Sequence, residues 1–206
     1  MEKSQIPNIV VSRLPIYVQR LNLLLREGTE VVSSQEFAEM LGTTATEIRK
    51  DLSFFGNFGK QGSGYNVIRL HEALKEILHL NKIWKVAVFG MGNLGQALLR
   101  YQGFARQGFE IVLAFDIDEA LIGKEISGMV IQNESNLEQV LQDADVQIAI
   151  LTVPSNEAQR LADRLVFCGI NAILSYAPIT LKLPEHVQIS YADPVLQLQK
   201  MTFYLE

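Results

Sequence analysis

The sequence has few of the side chains that build disulfides, metal sites and redox centres. Its 206 residues include one cysteine, Cys168, three histidines and one tryptophan. A single cysteine excludes a disulfide within the chain, and the apolar segment around it predicts a buried structural thiol. His71 and His79 have no cysteine or histidine cluster beside them, so we expect both at the surface and expect no metal site.

Long hydrophobic runs and a signal segment are also missing. No apolar stretch reaches the ~18 residues that span a bilayer. Residues 1–9 are polar and mixed, unlike a secretory signal. We therefore expect a soluble, cytoplasmic protein with no membrane partner. The composition is 48 % hydrophobic, which is enough to bury a core in each of two small domains.

Positive charge is scarce, and it is unevenly distributed. The net charge is −5, but residues 1–82 hold ten Lys and Arg against nine Asp and Glu, whereas residues 83–206 hold eight against fourteen. An acidic segment is repelled by phosphate. Any contact with nucleic acid is therefore expected from the first segment.

A glycine motif in the middle of the chain is the most informative feature. An apolar strand beginning at Val86 leads into G-x-G-x-x-G, in which Gly90 permits a tight turn, Gly92 lets a pyrophosphate approach and Gly95 lets a helix pack closely. A helical run follows, and a second strand ends in Asp116, about twenty residues further on, where a carboxylate binds ribose. This context predicts a dinucleotide site, and a glycine-rich turn without a ligand is the alternative.

The chain beyond Asp116 alternates strands and helices in βαβ fashion. We predict strands at 129–131, 146–154, 172–178 and 187–191, and helices at 138–141 and 155–169. Residues 83–191 are thus expected to form a Rossmann-like domain. The predicted strand ends offer few polar groups, and His186 lies in a turn at the opposite end of the sheet. We therefore expect a cofactor site without catalytic residues, and hence no enzyme.

Two capping boxes in residues 1–82 predict a helix-turn-helix. A first helix is expected from about Arg13 to Glu27, with Ser12 as its N-cap. The boxes open the next two helices, at 33–36 and 44–47, and the third helix runs through Phe55. The side chains that can reach phosphates and base edges lie on this third helix and are Thr44, Thr46, Arg49 and Lys50.

A glycine-rich hairpin is predicted directly after the third helix, over residues 58–67. Its tip carries Lys60 and Gln61, and Tyr65 and Val67 lie on the return strand. A helix-turn-helix followed by such a hairpin is a winged helix, in which the wing contacts the minor groove or backbone while the third helix enters the major groove. The alternative is a helical packing domain with solvated surface cations.

The last segment, residues 192–206, is expected to be a helix that begins at the N-cap Asp193 and is apolar over a wide face. Such a terminal helix suits a dimer interface, and a winged helix that binds a palindrome needs a twofold partner.

Several segments of the sequence, taken together, resemble one known family. They comprise residues 46–65, Gly90–Gly95 with Tyr101, 115–118, 151–154, 177–178 and 203–205. Over nearly the whole chain they resemble the redox-sensing transcriptional repressors called Rex. The resemblance implies an α/β fold and a bacterial homodimer, in which N-terminal winged helices join Rossmann domains that bind NADH and NAD+ and a C-terminal helix is swapped between subunits.

The resemblance also implies a mechanism and a set of site residues. NADH closes the dimer and releases palindromic operators of fermentation and respiration genes, whereas NAD+ leaves a DNA-competent arrangement. The implied cofactor residues are Gly90, Met91, Gly92, Asn93, Leu94, Gly95 and Asp116, with Tyr101, Thr152, Val153, Pro154, Ala177 and Pro178 around the nicotinamide. The implied DNA-binding residues are Thr44, Thr46, Arg49, Lys50, Ser53, Lys60, Gln61, Gly62 and Tyr65.

Two positions depart from the family pattern. The first helix of the family usually reads R-L-P-x-Y-x-R, and here Gln19 stands in place of the last arginine. In the family that arginine can bridge domains of different subunits through the acid matching Asp193. Coupling is therefore expected to be weaker here or to use Arg20. In the wing, Gln61 replaces a common arginine, which removes one cation.

Two other interpretations of the residues stay open. One is a small NAD-dependent oxidoreductase with an accessory helical domain, which the missing proton donor and substrate domain disfavour. The other keeps the DNA-binding module but gives the Rossmann-like domain a coenzyme A derivative or ATP. Asp116 disfavours this second alternative only moderately.

Overall fold

The computed structural model describes residues 6–60 and 63–205. The chain divides between Lys82 and Ile83 into two units. Among the described residues, the first unit has one hydrophobic core, and the second has two clusters of buried residues around its sheet.

The described part of the first unit has a small sheet and four helices. The helices are α1 (Asn8–Arg26), α2 (Ser34–Leu41), α3 (Ala45–Ser53) and α4 (Val67–Ile77), and the strands are β1 (Val31–Val32), β2 (Gly59–Lys60) and β3 (Gly64–Asn66). Strand β3 pairs antiparallel with both β1 and β2. Three helices followed by this hairpin are a winged helix, as the sequence predicted.

Helix α1 begins earlier than the sequence predicted. Its N-cap is Pro7, and Ser12, expected as the cap, lies inside the helix with its hydroxyl donating to the carbonyl of Ile9 at 2.9 Å. The buried stripe of α1 extends back to Val10, so packing continues the helix in the N-terminal direction. Pro15 consequently lies in the helix interior rather than in its first turn.

The two predicted capping boxes differ in the structure. The Ser33–Glu36 box is complete, with both reciprocal hydrogen bonds made. At α3 the hydroxyl of Thr44 accepts from the amide of Glu47 at 3.2 Å, but the Glu47 carboxylate accepts from Thr43 and pairs with Arg13 instead of returning to the cap. The second box is therefore only half formed.

The boundaries around the wing also differ from the prediction. Helix α3 ends at Ser53 rather than Phe55, and Gly56 follows with a φ of 135°. Val67 begins α4 instead of ending the hairpin, because the Asn66 side chain caps that helix by accepting from the amide of Arg69 at 2.9 Å. Strand β1, absent from the prediction, completes the small sheet.

His71 and Cys168 are less simple than expected. His71 is half-buried, because α4 begins at Val67 and buries Leu70 and Leu74 beside it. Its Nε2 is buried and has no hydrogen-bond partner in the part of the chain that the structure describes, and burial lowers the pKa of the imidazole. The thiol of Cys168 is half-buried rather than buried, since the residue follows the last turn of its helix.

The second unit alternates strands and helices. Its elements are β4 (Trp84–Phe89), α5 (Asn93–Arg100), α6 (Gly103–Arg106), β5 (Phe109–Asp116), β6 (Glu125–Ile126), β7 (Met129–Asn133), α7 (Leu137–Ala144), β8 (Ile148–Leu151), α8 (Ser155–Phe167), β9 (Ala172–Ser175), β10 (Gln188–Tyr191) and α9 (Pro194–Thr202). A short 3₁₀ turn, Glu134–Asn136, precedes α7.

The strand order identifies the architecture of this unit. The order is β10-β9-β8-β4-β5-β7-β6, and every pair is parallel except β6 with β7. Leaving out the antiparallel edge strand, this is the doubly wound order of a Rossmann fold, and it reverses between β4 and β8. The predicted α/β class is confirmed, and the carboxyl ends of β4 and β8 meet where ligands bind in such sheets.

Candidate nucleotide and DNA sites

The glycine motif forms the turn between β4 and α5. Gly90 has a φ of 92°, and a Cβ there would lie 2.8 Å from the carbonyl oxygen of Thr152. A Cβ on Gly95 would overlap the carbonyl oxygen of Gly90, whereas one on Gly92 would meet nothing within 4 Å. The turn thus needs glycine at its first and third positions for internal reasons, while Gly92 leaves open space outside the loop.

Side chains from two other places hold this turn. The hydroxyl of Thr152 lies 2.9 Å from the carbonyl oxygen of Phe89 and 2.6 Å from that of Gly90. The side-chain amide of Gln96 donates from Nε2 to the backbone carbonyl of Met91 at 2.9 Å. Sequence reasoning missed Gln96, and it placed Thr152 beside the nicotinamide without foreseeing these bonds. The loop is therefore preorganised by its own unit.

The N-terminus of α5 opens from this turn without a side-chain cap. Its N-cap is Gly92, and the next two residues, Asn93 and Leu94, are exposed. The first amides of a helix have no intrahelical acceptor, and the helix dipole adds positive potential there. The first turn of α5 can therefore bind an anionic group such as a pyrophosphate.

Asp116 ends β5 beside the glycine turn. One carboxylate oxygen accepts from the amide of Met91, and the other accepts from the amide of Asp118 at 2.7 Å. A carboxylate has about four acceptor positions, so two remain for hydroxyl donors. Among the described residues no Lys or Arg pairs with Asp116. Its charge therefore suits a ribose diol and repels a ribose phosphate.

The remaining predicted cofactor residues follow α5, β8 and β9. Thr152, Val153 and Pro154 directly follow β8, so they lie at the switch point with the glycine turn. After β9, Ala177 is buried and Pro178 is exposed. The ring of Tyr101 is mostly exposed, packs over Gly103, where a Cβ would overlap it, and meets Phe104 edge-on with centroids 5.4 Å apart.

Helix α3 presents polar side chains to solvent. The predicted contact residues on it and at its cap are all exposed, namely Thr44, Thr46, Arg49, Lys50 and Ser53. The Arg49 guanidinium donates to the hydroxyl of Ser34 at 2.8 Å and to that of Thr46 at 3.2 Å. The hydroxyl of Ser53 donates to the carbonyl of Lys50 at 2.7 Å.

A groove of about 750 Å³ separates α3 from the hairpin. Ser34, Arg49 and Ser53 line its helical side, and Asn57 and Gly59 line the other. Tyr65 also borders the groove, but it is only 8 % exposed and packs in the core, where burial raises its pKa. Tyr65 therefore anchors the wing. Lys60 lies in β2, and the predicted contacts at Gln61 and Gly62 fall outside the described residues.

A buried ionic cluster fixes α3 against α1, and sequence reasoning missed it. Asp51 is 1 % exposed and accepts two hydrogen bonds from Arg13 and one from the Tyr17 hydroxyl, each at 2.6 Å. These bonds raise the pKa of Arg13, and burial together with Asp51 raises that of Tyr17. The available signal was spacing, because Asp51 follows the buried Ile48 by three residues.

Of the residues expected to couple domains, Arg20 and Asp193 make hydrogen bonds within their own units. Gln19 is exposed, and Arg20 donates to the carbonyl of Met40 at 2.8 Å, at the end of α2. Asp193 caps α9 by accepting from the amide of Val195 at 2.8 Å, as predicted. The α9 tail also exposes a series of large apolar side chains, namely Val195, Leu196, Leu198, Met201, Phe203, Tyr204 and Leu205.

Fold and site together define a class of protein. A winged helix with cations on its third helix, joined to a Rossmann-like domain with an open glycine turn, is a DNA-binding protein that carries a nucleotide-binding domain. Family models agree for both parts: residues 5–53 match a putative DNA-binding protein N-terminus, and residues 81–179 match a CoA binding domain. In the described residues no helix is long and apolar enough to cross a membrane.

Whole-chain comparisons specify the family. The redox-sensing transcriptional repressor Rex of Chloroflexus aggregans is 50 % identical over all of this chain and 97 % of its own length. That of Syntrophobacter fumaroxidans is 39 % identical over 100 % and 98 %. The chain belongs to the Rex family of redox-sensing transcriptional repressors, which confirms the resemblance found in the sequence.

Solved structures of a related repressor agree. RSP, a Rex-family repressor, in complex with NAD+ and operator DNA matches with a TM-score of 0.92 and 38 % identity, covering 97 % of this chain and 92 % of that one. The RSP complex with NADH matches with a TM-score of 0.89 and 36 % identity, covering 98 % and 95 %.

Proposed function

We propose that this chain is a transcriptional repressor that senses the NADH/NAD+ ratio and that NADH releases it from palindromic operators of fermentation and respiration genes. The observation that carries the proposal is the presence of both an open dinucleotide turn and a third helix with the exposed cations Arg49 and Lys50 in a Rex-family chain. The solved complexes of RSP, one with NAD+ and operator DNA and one with NADH, support the assignment of DNA and of both cofactor forms as ligands.

The cofactor site assigned by this proposal lies at the switch point of the sheet. The open side of Gly92 and the first turn of α5 bind the pyrophosphate, and the buried Met91 directly precedes Gly92 in the turn. Asp116 accepts hydrogen bonds from the adenosine ribose. The nicotinamide is surrounded by the residues after α5, β8 and β9, which are Tyr101, Thr152, Val153, Pro154, Ala177 and Pro178. The open turn and the free acceptors of Asp116 fit NAD(H).

The DNA site assigned by the proposal lies on residues 1–82. Helix α3 enters the major groove with Arg49 and Lys50, and the wing, with Lys60 to Gly62, follows the backbone. Residues 83–191 bind the cofactor, and residues 192–206 form the dimer interface, where the helix is swapped between subunits. The exposed apolar tail of α9 supports this last assignment, because such a surface is unusual for a monomer.

Absence of catalysis and a cytoplasmic location belong to the same proposal. The relatives are named repressors, and two hydroxyls at the strand ends, those of Thr152 and Ser175, are engaged in the fold. That of Thr152 bonds the glycine turn, and that of the buried Ser175 accepts from the amide of Ala177 at 3.2 Å. Neither is arranged as a proton donor to a substrate.

The response to NADH is a shift between two states of a dimer. A ligand shifts such an equilibrium only by the difference in its affinity for the two states. NADH is therefore expected to bind more tightly to the state that DNA binds poorly. By reciprocity the operator weakens NADH binding by the same factor.

A DNA-binding titration tests the proposal. A palindromic DNA selected from a random pool by this protein is titrated without cofactor, with NAD+ and with NADH. Release by NADH at concentrations where NAD+ has no effect supports the proposal, and no operator binding in any state refutes it. At physiological salt Arg49→Ala should abolish operator binding and keep the NADH affinity, whereas a comparable loss of NADH affinity would contradict separate sites.

One further arm of that titration addresses the match to a CoA binding domain over residues 81–179. Acetyl-CoA and ATP are added in place of NADH, at the same concentrations. We expect acetyl-CoA not to release the DNA, because Asp116 repels a phosphate on the adenosine ribose, such as the one that coenzyme A carries. We expect no release by ATP either, because ATP lacks the nicotinamide whose redox state the repressor senses under this proposal. Release by acetyl-CoA but not by NADH would assign the site to a coenzyme A derivative.

A further inference from the structure

The guanidinium of Arg49 is held between two helices before any DNA is present. One terminal nitrogen donates to the hydroxyl of Ser34 on α2, at 2.8 Å, and the other to the hydroxyl of Thr46 one turn earlier on α3, at 3.2 Å. A guanidinium has five N–H donors, so three stay available. Arg49 is therefore fixed in orientation but still has N–H donors available for DNA.

Within residues 6–60 and 63–205 the hydroxyl of Ser34 makes no other hydrogen bond. The N-cap of α2 is the preceding residue, Ser33, whose side chain and amide complete the capping box with Glu36. Ser34 is the first residue of the helix, and the hydrogen bond to Arg49 joins positions 15 residues apart in sequence. The contact thus links the two helices of the helix-turn-helix through an exposed arginine of the third helix.

Ser34 and Arg49 both line the groove between α3 and the wing. A free arginine on a helix surface samples many rotamers, and binding has to order it. Prior anchoring removes part of that cost, by a factor of roughly two to twelve in affinity for one long side chain. The gain requires that the anchored orientation be the one that DNA needs.

We propose that Ser34 is a positioning residue for operator recognition, which orients Arg49 without itself contacting DNA. This inference rests on the proposed function, because it assigns Ser34 a part in the same DNA site. Arg49 keeps its charge when the anchor is lost, so the salt dependence of binding should not change. The discrimination between operator and altered operator should fall, since it depends on where the guanidinium points.

The test compares five proteins on the same selected palindromic DNA: the unaltered chain, Ser34→Ala, Ser34→Thr, Arg49→Ala and the Ser34→Ala/Arg49→Ala double variant. Ser34→Ala is expected to weaken binding roughly two- to twelvefold, with an unchanged slope of log K against log salt. Ser34→Thr retains the hydroxyl and should restore binding. In the Arg49→Ala background, measured at low salt, Ser34→Ala should have no further effect.

Ser12→Ala is the matched control. Its hydroxyl also makes one exposed hydrogen bond on a helix, to the carbonyl of Ile9, but far along the sequence from the groove residues. It should leave binding unchanged. Melting temperatures of all variants identify any general loss of structure.

Three outcomes overturn the inference. Unaltered binding by Ser34→Ala would show that the anchor contributes nothing. An equal loss in the presence and absence of Arg49 would mean that Ser34 acts on DNA directly or through the fold. A lower melting temperature that Ser34→Thr does not rescue would indicate a structural role. Failure of the unaltered chain to bind any DNA would instead refute the proposed function, and so remains distinguishable.

Discussion

Gly92 and Gly95 are three residues apart, yet alanine should have opposite consequences at the two positions. At Gly95 a Cβ overlaps the carbonyl oxygen of Gly90 and lies 3.0 Å from the hydroxyl oxygen of Thr152. Neither neighbour can retreat easily, because the Thr152 hydroxyl and that same carbonyl are 2.6 Å apart. At Gly92 the Cβ enters open space, and φ is −67°, which alanine adopts freely.

The space around each Cβ sets the expected change in the free energy of unfolding. Forcing a methyl group into a packed site costs about 3 kcal/mol at the upper end of the usual range. Alanine recovers about 1 kcal/mol through helix propensity, so Gly95→Ala should lower the free energy of unfolding by about 2 kcal/mol. Gly92→Ala should change it by less than about 1 kcal/mol.

NADH binding should follow a different pattern. A methyl group on Gly92 occupies the space that a pyrophosphate needs, and losing one hydrogen bond to a charged group costs about 1.5–3 kcal/mol. Gly92→Ala should therefore weaken NADH binding at least about tenfold while the protein stays folded. Gly95→Ala should weaken both binding and folding, because it displaces the turn itself.

Two measurements separate these cases. Urea unfolding gives the stability of each variant, and a fluorescence titration gives its NADH affinity. Ala97→Gly, at an exposed position of the same helix, measures the propensity contribution alone and should leave NADH affinity unchanged. A Gly95→Ala protein as stable as the unaltered one would refute the packing argument. Undiminished NADH binding by Gly92→Ala would refute the placement of the pyrophosphate.

Three other predictions concern single side chains. Tyr17→Phe should cost about 1.5–3 kcal/mol, because the hydroxyl donates to the charged Asp51. Because the pKa of Tyr17 is raised by burial, the contribution of its hydroxyl to the free energy of unfolding is complete below pH 10 and declines progressively as the pH rises above 10. Above pH 10 the urea midpoint of Tyr17→Phe should therefore fall less steeply with pH than that of the unaltered protein. Burial raises the pKa of Cys168, so iodoacetamide at pH 8 should react more slowly with the native protein than in urea. Gln61→Arg should steepen the salt dependence of operator binding by about one phosphate contact per wing, and equal slopes would contradict this.

The fold was predictable where the pattern is local and long. Buried residues at helical spacing identified α8, and apolar runs followed by the glycine motif identified β4. The two-residue strands β1 and β6 were missed, because each exists only by pairing with a neighbouring strand. Helix α1 was predicted too short, since its early turns depend on packing rather than on a cap.

The site residues show the same difference between features that the local sequence predicts and features that depend on packing. The glycine turn and the place of Asp116 beside it were predictable, because both depend on backbone geometry and fixed spacing along the chain. Asp51, Ser34 and Gln96 were not, because their partners are set by how the elements pack. Asp51 and Arg13 are 38 residues apart, and no local pattern specifies that pair.

Internal bonds make both sites rigid, which constrains how a cofactor could act under the proposed function. Separating Asp51 from Arg13 to reshape α3 would cost about 3–5 kcal/mol, since it leaves a buried charge unpaired. A hundredfold change in operator affinity needs only about 2.7 kcal/mol. The less costly route is to change how two copies of α3 are presented to the DNA. Cofactor exchange should then alter affinity for a full palindrome and leave affinity for an isolated half-site unchanged.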